Sequence, residues 1–136
     1  MRQGGYLIAV SAPLWLGSCA LPGEPVKACR DAVNVYFTGG IDQLGLEALD
    51  ATLLAVATLE ACPAARATVT GHIDGAEIGM PHLGLARAAN VRSVMVKRGV
   101  AGARIVVRDA AFAQPALPTP PGVPEPKNRF VAIAWK

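Results

Sequence analysis

The sequence predicts an α/β (α+β) two-layer sandwich of order β-α-β-α-β-β, with two helices on one face of a small mixed sheet. Two observations predict it. Short apolar runs of strand character alternate with two longer stretches of helix spacing, and a segment with six prolines (Pro115, Pro118, Pro120, Pro121, Pro124 and Pro126) separates the last two strands.

The elements follow in order. Val33, Val35 and Phe37 alternate with Asn34, Tyr36 and Thr38 before Gly39-Gly40, which predicts a first strand over 33–37. From Ile41 to Leu59 the leucines Leu44, Leu46, Leu49, Leu53 and Leu54 recur at helical spacing, with Asp42 as the expected cap and Pro63 beyond the end. Arg66 to Thr70 reads as the second strand, ending at Gly71, and His72 to Met80 reads as a polar loop. Pro81 suits the first turn of a second helix whose expected inward stripe is Leu83, Leu85, Ala86, Ala89, Val94 and Met95, and Gly99 stops it. Ala103 to Val107 is the third strand and Phe130 to Trp135 the last. Between them, proline excludes any helix or central strand over 114–126.

Composition narrows the function. The chain has 136 residues, one domain's worth, with 13 Lys or Arg against 10 Asp or Glu and no basic stripe, so nucleic acid is not an expected partner. Aromatics are only 5%, so the interior is built from aliphatics. No activated nucleophile or carboxylate pair suggests an enzyme. His72 stands in a His-x-Asp triplet, but His82 falls in a loop without supporting carboxylates, so neither a metal nor a cofactor is expected and His72 packs or bonds locally.

The N-terminus carries one charge, Arg2, and then an apolar run from Tyr6 to Leu16, too short to span a bilayer, which needs about 20 residues, and broken by Pro13. It reads as an export signal over 1–18; the alternative is a buried apolar helix. Leu16-Gly17-Ser18-Cys19 resembles the lipobox of bacterial lipoproteins. That resemblance implies cleavage before Cys19, lipidation of Cys19, and, with Ala20 following, sorting to the outer membrane with the domain facing the periplasm. Residues 19–32 are then a lipidated end and short tether, and 33–136 the folded domain. Fully extended, the tether reaches at most about 45 to 50 Å, so the domain stays near the membrane. With Cys19 carrying lipid, Cys29 and Cys62 remain just before the first two strands. If those strand starts are neighbours, the two thiols can pair in an oxidising periplasm.

Three patches resemble the OmpA-like peptidoglycan-binding family, the domain of OmpA, Pal and MotB. They are Val35-Tyr36-Phe37 before a leucine-rich helix, Val69-Thr70-Gly71-His72-Ile73-Asp74, and Leu83-Gly84-Leu85-Ala86-Arg87-Ala88-Ala89-Asn90-Val91. Gly99-Val100, Arg104-Ile105 and Asn128-Arg129 fall at the later places expected. The resemblance implies non-covalent binding to peptidoglycan through the free end of the stem peptide's diaminopimelate, an ammonium and a carboxylate on one carbon. By motif position Asp74 would accept from the ammonium and Arg87 would clamp the carboxylate with two parallel N–H bonds. On residue type alone, Asp74 is more often a helix or turn cap than a ligand group, and Arg87 a solvated charge or a salt-bridge partner. Arg129 either reaches the ligand or braces its loop.

The sequence also departs from the family. Ile73 stands where the family has threonine, Met80 where it has asparagine, and Phe130 in place of a second arginine; the loop from Asp74 to Arg87 is shorter, and 114–126 is proline-rich and nearly uncharged. That last segment is either a partner surface for another envelope protein or a solvated spacer. The expected function is therefore an outer-membrane lipoprotein tethering membrane to wall. The alternative is a scaffold subunit of an envelope, secretion or motility complex without wall binding.

Overall fold

A computed structural model describes residues 29–136; the export signal expected over 1–18, the lipidation expected at Cys19 and the tether up to residue 28 lie outside the described residues. In chain order the elements are β1 (Asp31–Tyr36), α1 (Leu46–Glu60), β2 (Ala67–His72), α2 (Leu83–Lys97), β3 (Ile105–Ala111) and β4 (Phe130–Trp135). Short 3-10 turns stand at Gly75–Glu77, Gly102–Arg104 and Pro126–Asn128. The sheet is mixed, in the order β1-β4-β2-β3. β2 and β3 run parallel, while β4 pairs antiparallel with both β1 and β2. The last strand thus inserts between the first two, which the sequence order does not disclose.

α1 packs against β1 and α2 against β2 and β3. Val35, Val69, Val131, Ile133 and Trp135 from the sheet meet Leu59, Val91 and Met95 from the helices in one core. Two readings of the helices are corrected. α1 begins at Leu46 with Gly45 at its cap position, not at Asp42. The segment before it is held elsewhere: the Asp42 carbonyl accepts from Asn90 Nδ2 on α2 at 2.9 Å. The buried side of α1 is Ala48, Thr52, Ala55, Val56 and Leu59, and Leu46 is 83% exposed. The buried Thr52 hydroxyl donates to the Ala48 carbonyl four residues back.

On α2 the buried side is Gly84, Arg87, Ala88, Val91 and Met95, so the expected stripe is rotated and Leu85 faces solvent. The cause is close contact with β2. A Cβ on Gly71 would stand 1.8 Å from the Gly84 carbonyl oxygen, so these two glycines let helix and strand approach backbone to backbone. That approach turns Arg87 inward. Apolar periodicity cannot find such a face, because an arginine lies at its centre.

Cys29 and Cys62 are joined by a disulfide, with Cα atoms 5.5 Å apart. β1 and β2 flank β4, Asp31 and Ala67 both standing opposite Trp135, and the end of α1 returns to the same edge. There the Arg104 guanidinium donates to the carbonyls of Leu59, Cys62 and Ala65, covering the C-terminal end of α1, where a cation is favoured.

Candidate functional site

Asp74, Arg87 and Arg129 converge at the end of β2. The chain leaves β2 at His72, and Asp74 then opens the turn Gly75–Glu77. Asp74 Oδ1 accepts from the Glu77 N–H and Glu77 Oε2 accepts from the Asp74 N–H, both at 3.0 Å, a reciprocal capping box. Asp74 is 0% exposed. Its Oδ2 accepts from Arg129 Nε at 2.7 Å and from the Glu125 N–H at 2.9 Å.

Arg87 is also 0% exposed, and the chain takes every N–H that its guanidinium has. Nε donates to the Ile41 carbonyl, Nη1 to the His72 carbonyl and Glu77 Oε2, and Nη2 to the Thr38 carbonyl and Glu77 Oε1. The two bonds to Glu77, at 2.9 and 2.6 Å, form the bidentate pair expected of a ligand carboxylate, but the carboxylate is the chain's own. Glu77 Oε1 further accepts from the Gly40 N–H. The ring of Phe37 lies under the guanidinium, 5.3 Å from ring centroid to Cζ.

Arg129 differs. It is 17% exposed on its side chain, and only Nε has a partner among the described residues. Its guanidinium lies against Gly39, where a Cβ would come within 3.1 Å of Nη1. The Nη nitrogens form the open end of the cluster.

Both carboxylates are ionised near pH 7. Burial alone would raise the Asp74 carboxyl, but the Glu125 N–H, Arg129 and the Glu77 N–H outweigh it and hold the group below its ordinary value. For Glu77, burial is likewise opposed by Arg87 and by the Gly40 and Asp74 N–H groups, again with a net lowering. His72 is pushed down by burial and is neutral near pH 7. His72 is held locally, as expected: its ring stacks on Phe130 at 4.1 Å and lies against the Ala113 backbone, whose hydrogen bond partly opposes the effect of burial. Phe130 therefore packs on His72 at the end of β2.

The proline-rich segment folds over this cluster. Gly122 N–H donates to the Gly75 carbonyl at 2.8 Å, and the buried Asn128 exchanges two side-chain bonds with the Leu117 backbone. A Cβ on Gly75 would stand 2.7 Å from the Pro120 carbonyl oxygen and 2.8 Å from that of Val123, so glycine admits the segment at this point. Ile73 is buried and Met80 half exposed.

Glu77 was missed by sequence reasoning, although Asp74-x-x-Glu77 has the spacing of a capping box. The carbonyls of Thr38 and Ile41 had no signal at all, being backbone. Among the described residues, no group of three or more His, Cys, Asp or Glu can hold a metal ion.

No protein-family model matches the chain, and no curated protein matches it. Solved structures do. The OmpA-like domain of FopA1 from Francisella tularensis superposes with a TM-score of 0.68 at 16% identity, over 76% of this chain and 70% of that one. The chain has the OmpA-like fold. The peptidoglycan-associated lipoprotein from Burkholderia pseudomallei superposes with a TM-score of 0.67 at 19% identity, over 76% of this chain and 90% of that one. The cell wall anchor of the type VI secretion system (T6SS) of Pseudomonas aeruginosa follows with 0.60 at 24% identity, over 77% and 80%. In this OmpA-like domain, the end of β2 and the start of α2 carry the motif residues Asp74 and Arg87, 13 positions apart in the chain, into one cluster with Arg129.

Proposed function

We propose that the chain is a non-catalytic outer-membrane lipoprotein, anchored through Cys19, whose OmpA-like domain binds peptidoglycan non-covalently through the free end of diaminopimelate and so ties membrane to wall. The observation that carries this reading is the open edge of Arg129, held in place by Asp74 through Nε while both Nη nitrogens remain without a partner among the described residues. A carboxylate accepts from such an edge in two parallel bonds. In this reading Arg129 meets the carboxylate, Asp74 orients Arg129, and Arg87 supports the site from below through Glu77. A stem peptide bearing lysine in that position lacks the carboxylate and is rejected.

The test is sedimentation with purified sacculi. Wild-type protein should pellet with diaminopimelate-type sacculi, and Arg129→Ala should lose at least about tenfold in affinity, the scale of one charge-assisted bidentate contact. Arg129→Lys should not restore it, because an ammonium lacks the planar fork. Wild-type protein left in the supernatant, or Arg129→Ala pelleting as fully as wild type, removes this reading.

A scaffold role without wall binding is the second reading. The closure of Asp74 under the proline-rich segment favours it, and Leu117 and Val123 stand exposed on that segment for a protein partner. The sacculus assay separates the two.

A further inference from the structure

The surroundings of Glu77 form an anion site in their own right. Its carboxylate accepts from Arg87 Nη1 and Nη2, from the Gly40 N–H and from the Asp74 N–H, at 2.6 to 3.0 Å. These donors come from α2, from the β1–α1 loop and from the end of β2, so the cradle is assembled by tertiary structure. Arg87 is held in it by three carbonyls that fix the plane of its guanidinium. A buried guanidinium so placed demands an anion, since removing one partner of such a pair strands the other charge.

We propose that this is a carboxylate-binding site that the chain fills itself, with Glu77 as an internal ligand that competes against any carboxylate entering from solvent. The tether through Gly75–Glu77 presents this carboxylate at high effective concentration, which keeps wild-type Arg87 closed to outside ligands. The inference rests on the proposed function only for the class of ligand, a carboxylate. It explains why the ligand contact there falls to Arg129.

The experiment is thermal unfolding of Glu77→Ala in sodium acetate against sodium chloride at equal ionic strength. Truncation to alanine leaves room for a small carboxylate beside Arg87. Acetate near saturation should raise the midpoint of Glu77→Ala by about 5 °C over chloride, as ligand linkage gives for a domain of this size. Wild type and the double variant Glu77→Ala/Arg87→Met should show no difference between the salts. If Glu77→Ala is too unstable to purify folded, the readout is its recovery from urea in the two salts, and acetate-dependent recovery supports the proposal. Equal midpoints, or equal recoveries, in acetate and chloride overturn it. Sacculi play no part here, so a wild type that fails to pellet removes the wall reading and leaves the acetate result standing.

Discussion

Asp74 and Glu77 cap one another across a single turn, and each also holds an arginine from elsewhere in the chain, Arg129 at 2.7 Å and Arg87 at 2.6 Å. Two carboxylates and two guanidiniums thus meet at the end of β2 with balanced charge. The arrangement joins four segments that share no secondary structure: the β1–α1 loop, the turn after β2, α2 and the segment before β4. Its stability and its ligand chemistry depend on the same bonds.

Breaking the inner pair should be costly. Glu77→Gln leaves the Arg87 charge buried without its counter-ion, and urea unfolding should show a loss of about 3 to 5 kcal/mol. Replacing both partners, as Glu77→Met/Arg87→Met, should cost less than the single change, because no charge is then stranded.

Stability should fall with acid in two stages. The His72 imidazole is held below its ordinary 6.5 in the fold, so as pH drops through 6.5 the unfolded chain takes up a proton that the folded one does not, and stability begins to decline. Asp74 and Glu77 are held below 3.8 and 4.5, so their contribution is complete above those values and is lost as pH falls through them towards the lowered folded ones. Urea midpoints measured from pH 8 to pH 3 should therefore drop from about pH 6.5 and more steeply below about 4.5. His72→Gln should remove the upper limb alone.

The contact between β2 and α2 tolerates no side chain on the strand. Gly71→Ala places a Cβ against the Gly84 carbonyl, and should cost more than about 3 kcal/mol or prevent folding. Gly84→Ala meets the Asp109 carboxylate at 2.9 Å and the Gly71 backbone at 3.2 Å. The carboxylate can swing aside, so this change should cost less, and paired thermal melts will rank the two.

The disulfide joins residues separated by 33 positions. Closing a loop of that length removes enough freedom from the unfolded chain to stabilise the fold by roughly 3 to 4 kcal/mol. Cys29→Ser or reduction should lower the urea midpoint accordingly, while leaving the cluster at the opposite end of β2 intact.

Much of the fold was legible in the residues. The alternation at Val33, Val35 and Phe37, the prolines over 114–126 and the run from Phe130 to Trp135 place β1, the long connection and β4 within a few positions. The first helix start was misread at Asp42, because a good cap residue precedes a stretch whose backbone is tied to α2 instead. The inward face of α2 was misread for a related reason: hydrophobic spacing assumes that arginine faces water, and Arg87 does not.

What the sequence by itself determined is the inventory: four strand-forming runs, two helices, and the charged residues Asp74, Arg87 and Arg129. The strands and helices follow from local preferences, which act over a few neighbouring residues, and the three charged residues from their resemblance to the motifs of a known family. Which arginine each carboxylate holds was decided only by the tertiary structure. Insertion of β4 between β1 and β2 brings Arg129 to Asp74, and the Gly71–Gly84 contact turns Arg87 toward Glu77. Once water is excluded, every buried charge must find its partner within hydrogen-bonding distance, and that distance is set by packing.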